Sequence, residues 1–254
     1  MPCARVTPGL QAFVVFVRLL GSFGMQQRSN GKTFQSTGAW TISKEYVAKN
    51  RCNNGRIREP DELEVECAYK LDKRLASCLG HFFRGLSVSE LGAGVGRYKR
   101  HVDASGLAGP YVAYDGLTNV TLMTRGRVQF ADLTVDNPFI RRSDFALSLE
   151  VAEHIPPKYE KVLLRNYDRA NRQGIVLSWS NLGSSQSNHG HVNPKRKSMV
   201  RLLFSKYGYS EDRNASAYLR QCATFLYLKR GIQVFRRTTN ISLPQAPYPY
   251  GYGL

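Results

Sequence analysis

Apolar positions recur along this chain with two different periods, and the switching between them predicts its architecture. From Asp61, just after Pro60, the residues Leu63, Cys67, Leu71, Leu75, Leu79 and Phe82 fall three to four apart, with Glu62 and Glu64 in the first turn. That spacing predicts an amphipathic helix ending near Gly85. Short apolar-rich segments follow at residues 86–91, 111–114, 128–130, 145–149 and 174–179, each bounded by turn residues. Runs of this kind read as buried strands. Helical spacing returns at 158–170, where Tyr159, Val162, Leu163 and Tyr167 share a stripe, and again at 198–207. Residues 218–228 and 232–235 are expected to close the sheet as an antiparallel pair. Alternation of strand and helix implies a doubly wound α/β domain, with a mainly parallel sheet covered by helices on both faces. No internal repeat competes with that reading.

The flanks differ in character, and they divide the chain into four parts. Residues 1–25 read as a signal peptide or signal anchor: Leu10 to Leu20 is mostly apolar, preceded by Arg5 and followed by Gly21, Ser22 and Gly24. Gln11 and Arg18 interrupt the run, which falls short of the about 20 apolar residues of a membrane span. No Asp or Glu precedes Glu45, so a mitochondrial presequence is the rival, and secretory entry is the expectation. Residues 26–59 are polar and read as a stem; 60–238 form the folded domain; 239–254, rich in Pro, Tyr and Gly, read as a disordered tail.

Composition changes this picture in two respects. Lys and Arg total 36 against 19 Asp and Glu, a net charge of +17, which favours anionic partners such as nucleic acid, membrane headgroups or acidic glycans. The excess is scattered, with short clusters at Arg97/Lys99/Arg100, Arg141/Arg142, Lys195/Arg196/Lys197 and Arg236/Arg237. A merely basic soluble surface is therefore an equal reading, and no recognisable RNA-binding module is present. Apart from Cys3 in the leader, the cysteines are Cys52, Cys67, Cys78 and Cys222. Eleven residues of helix would hold Cys67 and Cys78 about 16 Å apart, so any bridge must run from that helix to Cys52 or Cys222. Sequons at Asn119, Asn214 and Asn240 permit glycosylation of a secreted chain.

Candidate chemistry begins at Glu90-Leu-Gly-Ala-Gly-Val-Gly96, between a predicted strand and a helix. Glycines there allow a tight turn and close approach of a ligand to the backbone. The spacing of Gly92, Gly94 and Gly96 departs from the G-x-G-x-x-G of dinucleotide sites. Asp115 ends the next strand, where a carboxylate can accept both ribose hydroxyls of an adenosine. Asp132 follows the third strand, within reach of an adenine amino group, and Ser148-Leu-Glu-Val-Ala-Glu-His-Ile-Pro156 follows the fourth.

In this order the motifs resemble the class I S-adenosylmethionine-dependent methyltransferase superfamily over roughly residues 60–237. Together with 174–179 and Gly190-His-Val-Asn193, they are also similar to an animal methyltransferase-like group. The resemblance implies a Rossmann-like, seven-stranded sheet with S-adenosylmethionine across the strand carboxyl ends. It implies that Glu90, Gly92, Gly94, Gly96 and Glu150 shape the cofactor pocket, that Asp115 holds the ribose, and that Asp132 holds the adenine.

Methyl transfer is in-line displacement at a sulfonium carbon, so the protein must align an acceptor oxygen or nitrogen and take up its proton. Glu153, His189 and His191 are the candidates, the histidines because they titrate near neutral pH. The E-x-x-E-H spacing would place Glu150, Glu153 and His154 on one face of a helical turn. With His191 or His189 they could hold Mg²⁺ or Mn²⁺, or Zn²⁺, as in the small-RNA 2′-O-methyltransferases that this segment is similar to. Pro156 and Pro157 limit that turn to about one, and the metal-free alternative leaves the carboxylates to order the loop. A metal-dependent RNA 2′-O-methyltransferase and a non-catalytic cofactor-binding scaffold are the competing functions. Trp179 is expected in the core.

Overall fold

A computed structural model describes residues 70–180 and 191–238, together with the backbone of three short strands near the amino terminus. Those strands, β1 (Gln27–Ser29), β2 (Lys32–Phe34) and β3 (Trp40–Ile42), form an antiparallel meander within the stretch read as a stem. The leader, the tail, Cys52 and Cys67 lie outside the described residues.

The main domain opens with α1 (Lys73–Phe82), β4 (Val88–Leu91) and α2 (Arg97–Ser105). Next come β5 (Tyr111–Asp115), α3 (Val120–Met123), β6 (Gln129–Phe130) and β7 (Ser143–Leu149). They are followed by α4 (Glu160–Ala170), β8 (Asn171–Ser178), α5 (Lys197–Ser205) and β9 (Tyr209–Glu211). The domain ends with α6 (Arg213–Cys222), α7 (Leu226–Gly231) and β10 (Ile232–Arg237). The seven strands lie in the order β6-β5-β4-β7-β8-β10-β9. The first five are parallel, and β10 alone runs antiparallel to its neighbours β8 and β9.

Alternate residues of each central strand serve opposite faces, which is why the strands read as unbroken apolar runs. Phe145, Leu147, Val176 and Val234 pack beneath α1, α2 and α6, against Leu75, Leu79, Val102 and Leu219. Ala146, Ile175, Leu177 and Phe235 pack on the other side, against Leu163 and Tyr167 of α4 and Phe204 of α5. Trp179 is buried there, as expected, its indole N–H donating to the Asn193 carbonyl at 2.7 Å.

Two expectations are corrected, and one left open is resolved. Helix α1 begins at Lys73, because Asp72 is extended and caps it, its Oδ1 accepting from the Leu75 N–H at 3.1 Å; residues 61–69 lie outside the described ones. Residues 218–228 are not a strand but the end of α6 and the start of α7. The buried set Ala215, Leu219 and Cys222 has helical spacing, and β10 pairs instead with β8 and with the unanticipated three-residue β9. Of the two bridges left open, the structure forms Cys78–Cys222, which ties α1 to α6 across a Cα separation of 6.3 Å. Among the described residues, no helix is long and apolar enough to cross a membrane.

Several of the basic residues are already engaged within the fold. Lys99 pairs with Asp103, Lys195 with Glu160, Arg236 with Asp212 and Arg237 with Asp168. Part of the charge excess therefore braces the fold.

Candidate active site at the carboxyl ends of the strands

The strand order reverses at β4, which lies between β5 and β7. In open α/β sheets, ligands bind in the crevice beyond the carboxyl ends of the strands at such a switch point. Here the crevice is bordered by the turn from Gly92 to Gly96. The N–H groups of Gly92 and Ala93 both donate to the Tyr114 carbonyl, at 2.8 and 2.9 Å, folding the turn across the end of β5. Gly92, Gly94 and Gly96 all take left-handed conformations, with φ of 81°, 57° and 74°. A Cβ on Gly92 would lie 2.2 Å from Val151 Cγ2, and one on Gly96 would lie 2.7 Å from Val128 Cγ2. At both positions close packing by a side chain, as well as backbone conformation, requires glycine.

Asp115 is buried beside this turn. Its Oδ2 accepts from the Gly94 N–H at 2.6 Å and its Oδ1 from the Leu117 N–H at 2.8 Å. A carboxylate offers about four lone-pair sites, so each oxygen can accept more than one hydrogen bond. Glu90 lies deeper and accepts from the Tyr111 hydroxyl at 3.0 Å. Burial pushes its carboxyl up to about 8; the charge of Asp115 adds to this, while Tyr111 and Lys99 oppose it. Asp132 follows β6 as expected. Its Oδ1 accepts from both the backbone N–H and the hydroxyl of Thr134, at 2.8 and 2.7 Å, which closes a local turn.

The segment after β7 departs from the expected geometry. Glu150 is left-handed, with φ of 56°, and its N–H donates to Ser178 Oγ at 2.9 Å. A single 3₁₀ turn, Ala152–His154, follows. Glu150 therefore does not share a helix face with Glu153 and His154, although its carboxyl still meets that of Glu153. One ligand atom each of Glu153, His154 and His191 lies within 4.8 Å of the others. Two backbone bonds bring them together: the Glu153 carbonyl accepts from the Val192 and Asn193 N–H groups, at 2.8 and 2.9 Å. The His154 and His191 rings meet edge to face, with centroids 4.8 Å apart.

Glu153 is wholly buried; its carboxyl lies against that of Glu150 and the Ser180 backbone, but no hydrogen bond of good geometry reaches its oxygens or Oε1 of Glu150. Burial raises both carboxyls above the usual range, and the charge of Glu150 adds to the shift of Glu153. His189 lies outside the described residues. Sequence reasoning missed Ser178, which anchors Glu150.

This sheet order, with its glycine turn and acid-capped second strand, is a doubly wound, Rossmann-like fold. No protein-family model matches the chain, and no curated protein does. Among solved structures, the chain is similar to magnesium protoporphyrin IX methyltransferase from Synechocystis with bound S-adenosylhomocysteine: TM-score 0.49, 12% identity, covering 75% of this chain and 93% of that one. It is also similar to the methyltransferase domain of bacterial CtHen1-C: TM-score 0.47, 17% identity, 65% of this chain and 97% of that one. A third is Burkholderia thailandensis 1,6-didemethyltoxoflavin-N1-methyltransferase: TM-score 0.45, 17% identity, 65% of this chain and 76% of that one.

Proposed function

We propose that the protein is an S-adenosylmethionine-dependent methyltransferase that alkylates an oxygen or nitrogen of its acceptor. The observation that carries this reading is the buried Asp115 carboxylate, bound to the Gly94 N–H across the left-handed glycine turn at the switch point. When bound, the cofactor supplies an activated methyl group on a positively charged sulfur. Asp115 accepts the ribose hydroxyls, and Asp132 lies by the adenine. His191, beside the β7 loop, accepts the acceptor's proton as the new bond forms. Calorimetry on the purified chain tests the reading. S-adenosylmethionine binds, and Asp115→Asn weakens it by about 1.5–3 kcal/mol without unfolding the protein. No heat of binding in either the oxidised or the reduced state would sink it.

A divalent ion on Glu153, His154 and His191 is favoured by a specific observation: one ligand atom of each, gathered within 4.8 Å of the others, with the Glu153 carboxyl wholly buried. The residues fit such an ion, which would polarise an acceptor hydroxyl. One carboxylate and two imidazoles suit Mn²⁺ or Zn²⁺ better than Mg²⁺. Metal analysis should find one ion per chain, lost in His191→Ala; a metal-free wild type ends this reading. The bridge between Cys78 and Cys222 supports an oxidising, secretory location over a mitochondrial one. A tagged full-length chain diffuse in the cytosol would overturn both.

A further inference from the structure

The edge strand β9 covers β10 only from Phe235 to Arg237. The first residues of β10, Ile232 and Gln233, lie beyond it, opposite Ser178 and Leu177 of β8. Side chains of two helices meet this uncovered start. Arg220 of α6 donates from Nη1 to the Ile232 carbonyl at 3.0 Å, and the Gln233 amide donates to the Lys197 carbonyl of α5 at 3.4 Å. Glu211 ends β9 beside them. Arg201 Nε and Nη2 both reach its Oε2, at 2.8 and 2.6 Å, and Arg220 Nη1 lies 4.0 Å from its Oε1. Lys197 stands four residues before Arg201 on α5, on the same helix face. Three cations thus gather at one carboxylate.

Their exposure shows which way the charges face: 5% for the Glu211 side chain, against 25% for Arg220 and 44% for Arg201. The acid lies underneath and fixes the guanidiniums, while the cations are turned outward. One negative charge cannot balance three positive ones, and Lys197 has no ion-pair partner among the described residues. Burial holds its ammonium below the usual lysine range, and the charges of Arg220 and Arg201 add to this against Glu211. A bound anion relieves such crowding of like charges. Ser178, opposite Ile232, holds the Glu150 N–H. The surplus charge therefore lies within about two strand spacings, roughly 10 Å, of the candidate active site.

Guanidinium forks and an ammonium suit the ester of a tetrahedral oxyanion, sulfate or phosphate. Two observations favour a glycan over a nucleic acid as its bearer. Single strands are held by basic grooves with aromatic rings on which bases stack, and the exposed aromatic side chains among the described residues, Phe130 and Phe139, are elsewhere. Phe130 is on β6, at the opposite edge of the sheet, and the Phe139 backbone lies against Tyr114 of β5. The Cys78–Cys222 bridge, moreover, belongs to an oxidising compartment. We propose that Lys197, Arg201 and Arg220 bind a sulfate ester of a sulfated glycan, which docks at this end of the sheet beside the candidate active site. The proposal rests on the methyltransferase reading for its purpose, presentation of an acceptor, and on this charge cluster for its ligand.

Calorimetry on the full, disulfide-bonded chain tests it with a heparin hexasaccharide. Wild type should bind it and should not bind the desulfated hexasaccharide. Lys197→Ala/Arg220→Ala should weaken binding by about tenfold or more, the scale of a lost charge-assisted hydrogen bond. Arg141→Ala/Arg172→Ala removes as much charge from the amino ends of β7 and β8, the opposite rim. It should weaken binding by less than about twofold, because distant charges are screened. Lys197→Ala alone breaks no side-chain bond of the fold, and its weakening serves if the double variant does not fold. Equal weakening in the two double variants, or tighter binding of an RNA oligonucleotide of matched charge, would overturn the proposal. S-adenosylmethionine measured in parallel keeps the two readings apart. A wild type that binds the cofactor but not the hexasaccharide overturns the glycan site alone; one that binds the hexasaccharide but not the cofactor overturns the methyltransferase reading and the site's purpose.

Discussion

Opening the Cys78–Cys222 bridge should strongly destabilise the domain. The two cysteines are 144 positions apart. The chain-entropy relation for a loop of that length gives about 17 cal/mol/K, or about 5 kcal/mol at 25 °C. That figure is an upper bound, because Asp72 still holds the Thr224 and Phe225 N–H groups after reduction and keeps α6 near α1. For a chain of this size, 1 kcal/mol corresponds to about 2–4 °C in Tm, so reduction should lower Tm by roughly 10–20 °C. Scanning calorimetry of oxidised and reduced full-length protein, alongside the Cys78→Ala/Cys222→Ala pair, measures this directly. The reduced form and the double variant should melt together. Equal melting temperatures for oxidised and reduced protein, with thiol titration proving the bridge open, would refute the reasoning.

Gly92→Ala combines left-handed strain of about 1–2 kcal/mol with a 2.2 Å clash against Val151. Thermal melts should show a loss of roughly 2–4 kcal/mol, partly recovered by adding Val151→Ala; strictly additive losses would count against the packing explanation. Glu90 should make stability fall as pH rises. Its folded value of about 8 exceeds its ordinary 4.5, so the native state keeps a proton that the unfolded chain has released. The contribution is full below about 4.5 and is lost as pH rises through about 8, at no more than about 1.4 kcal/mol per pH unit. Denaturant titrations should show the stability difference between wild type and Glu90→Gln changing across that window, and a flat difference would remove Glu90 as its source.

Legibility in the sequence followed how local each determinant is. The parallel strands could be read because burial on both faces leaves a plain apolar run, as in Ile175-Val176-Leu177. The switch-point turn could be read because left-handed backbone selects glycine, and Asp115 because it closes the neighbouring strand. Tertiary determinants could not. The aromatic run Phe225 to Leu228 has the composition of a strand, and nothing local shows that Asp72 binds the start of α7 from another helix. Gly92 looked like a concession to a ligand, whereas the atom nearest its missing Cβ belongs to Val151, far along the chain. Strand β9 is three residues long, too short to show a period.

The E-x-x-E-H segment shows how a local pattern can name the right residues while misjudging their grouping. Read as a helical turn, it places Glu150 with Glu153 and His154 on one face. The left-handed φ of 56° at Glu150 prevents this, at a cost of about 1–2 kcal/mol for a residue with a side chain. The bond from its N–H to Ser178 Oγ holds the conformation, and its carboxyl meets α7 near Gly231. Glu153 and His154, past the pivot, converge with His191 instead. One short segment thus carries two buried carboxyls that meet each other while differing in backbone conformation. Strained residues persist where the surrounding structure over-determines them, often at functional sites. A glycine at 150 would relieve the strain but delete the carboxyl. Retaining glutamate in so unfavourable a conformation is accounted for if that carboxyl has a ligand to meet.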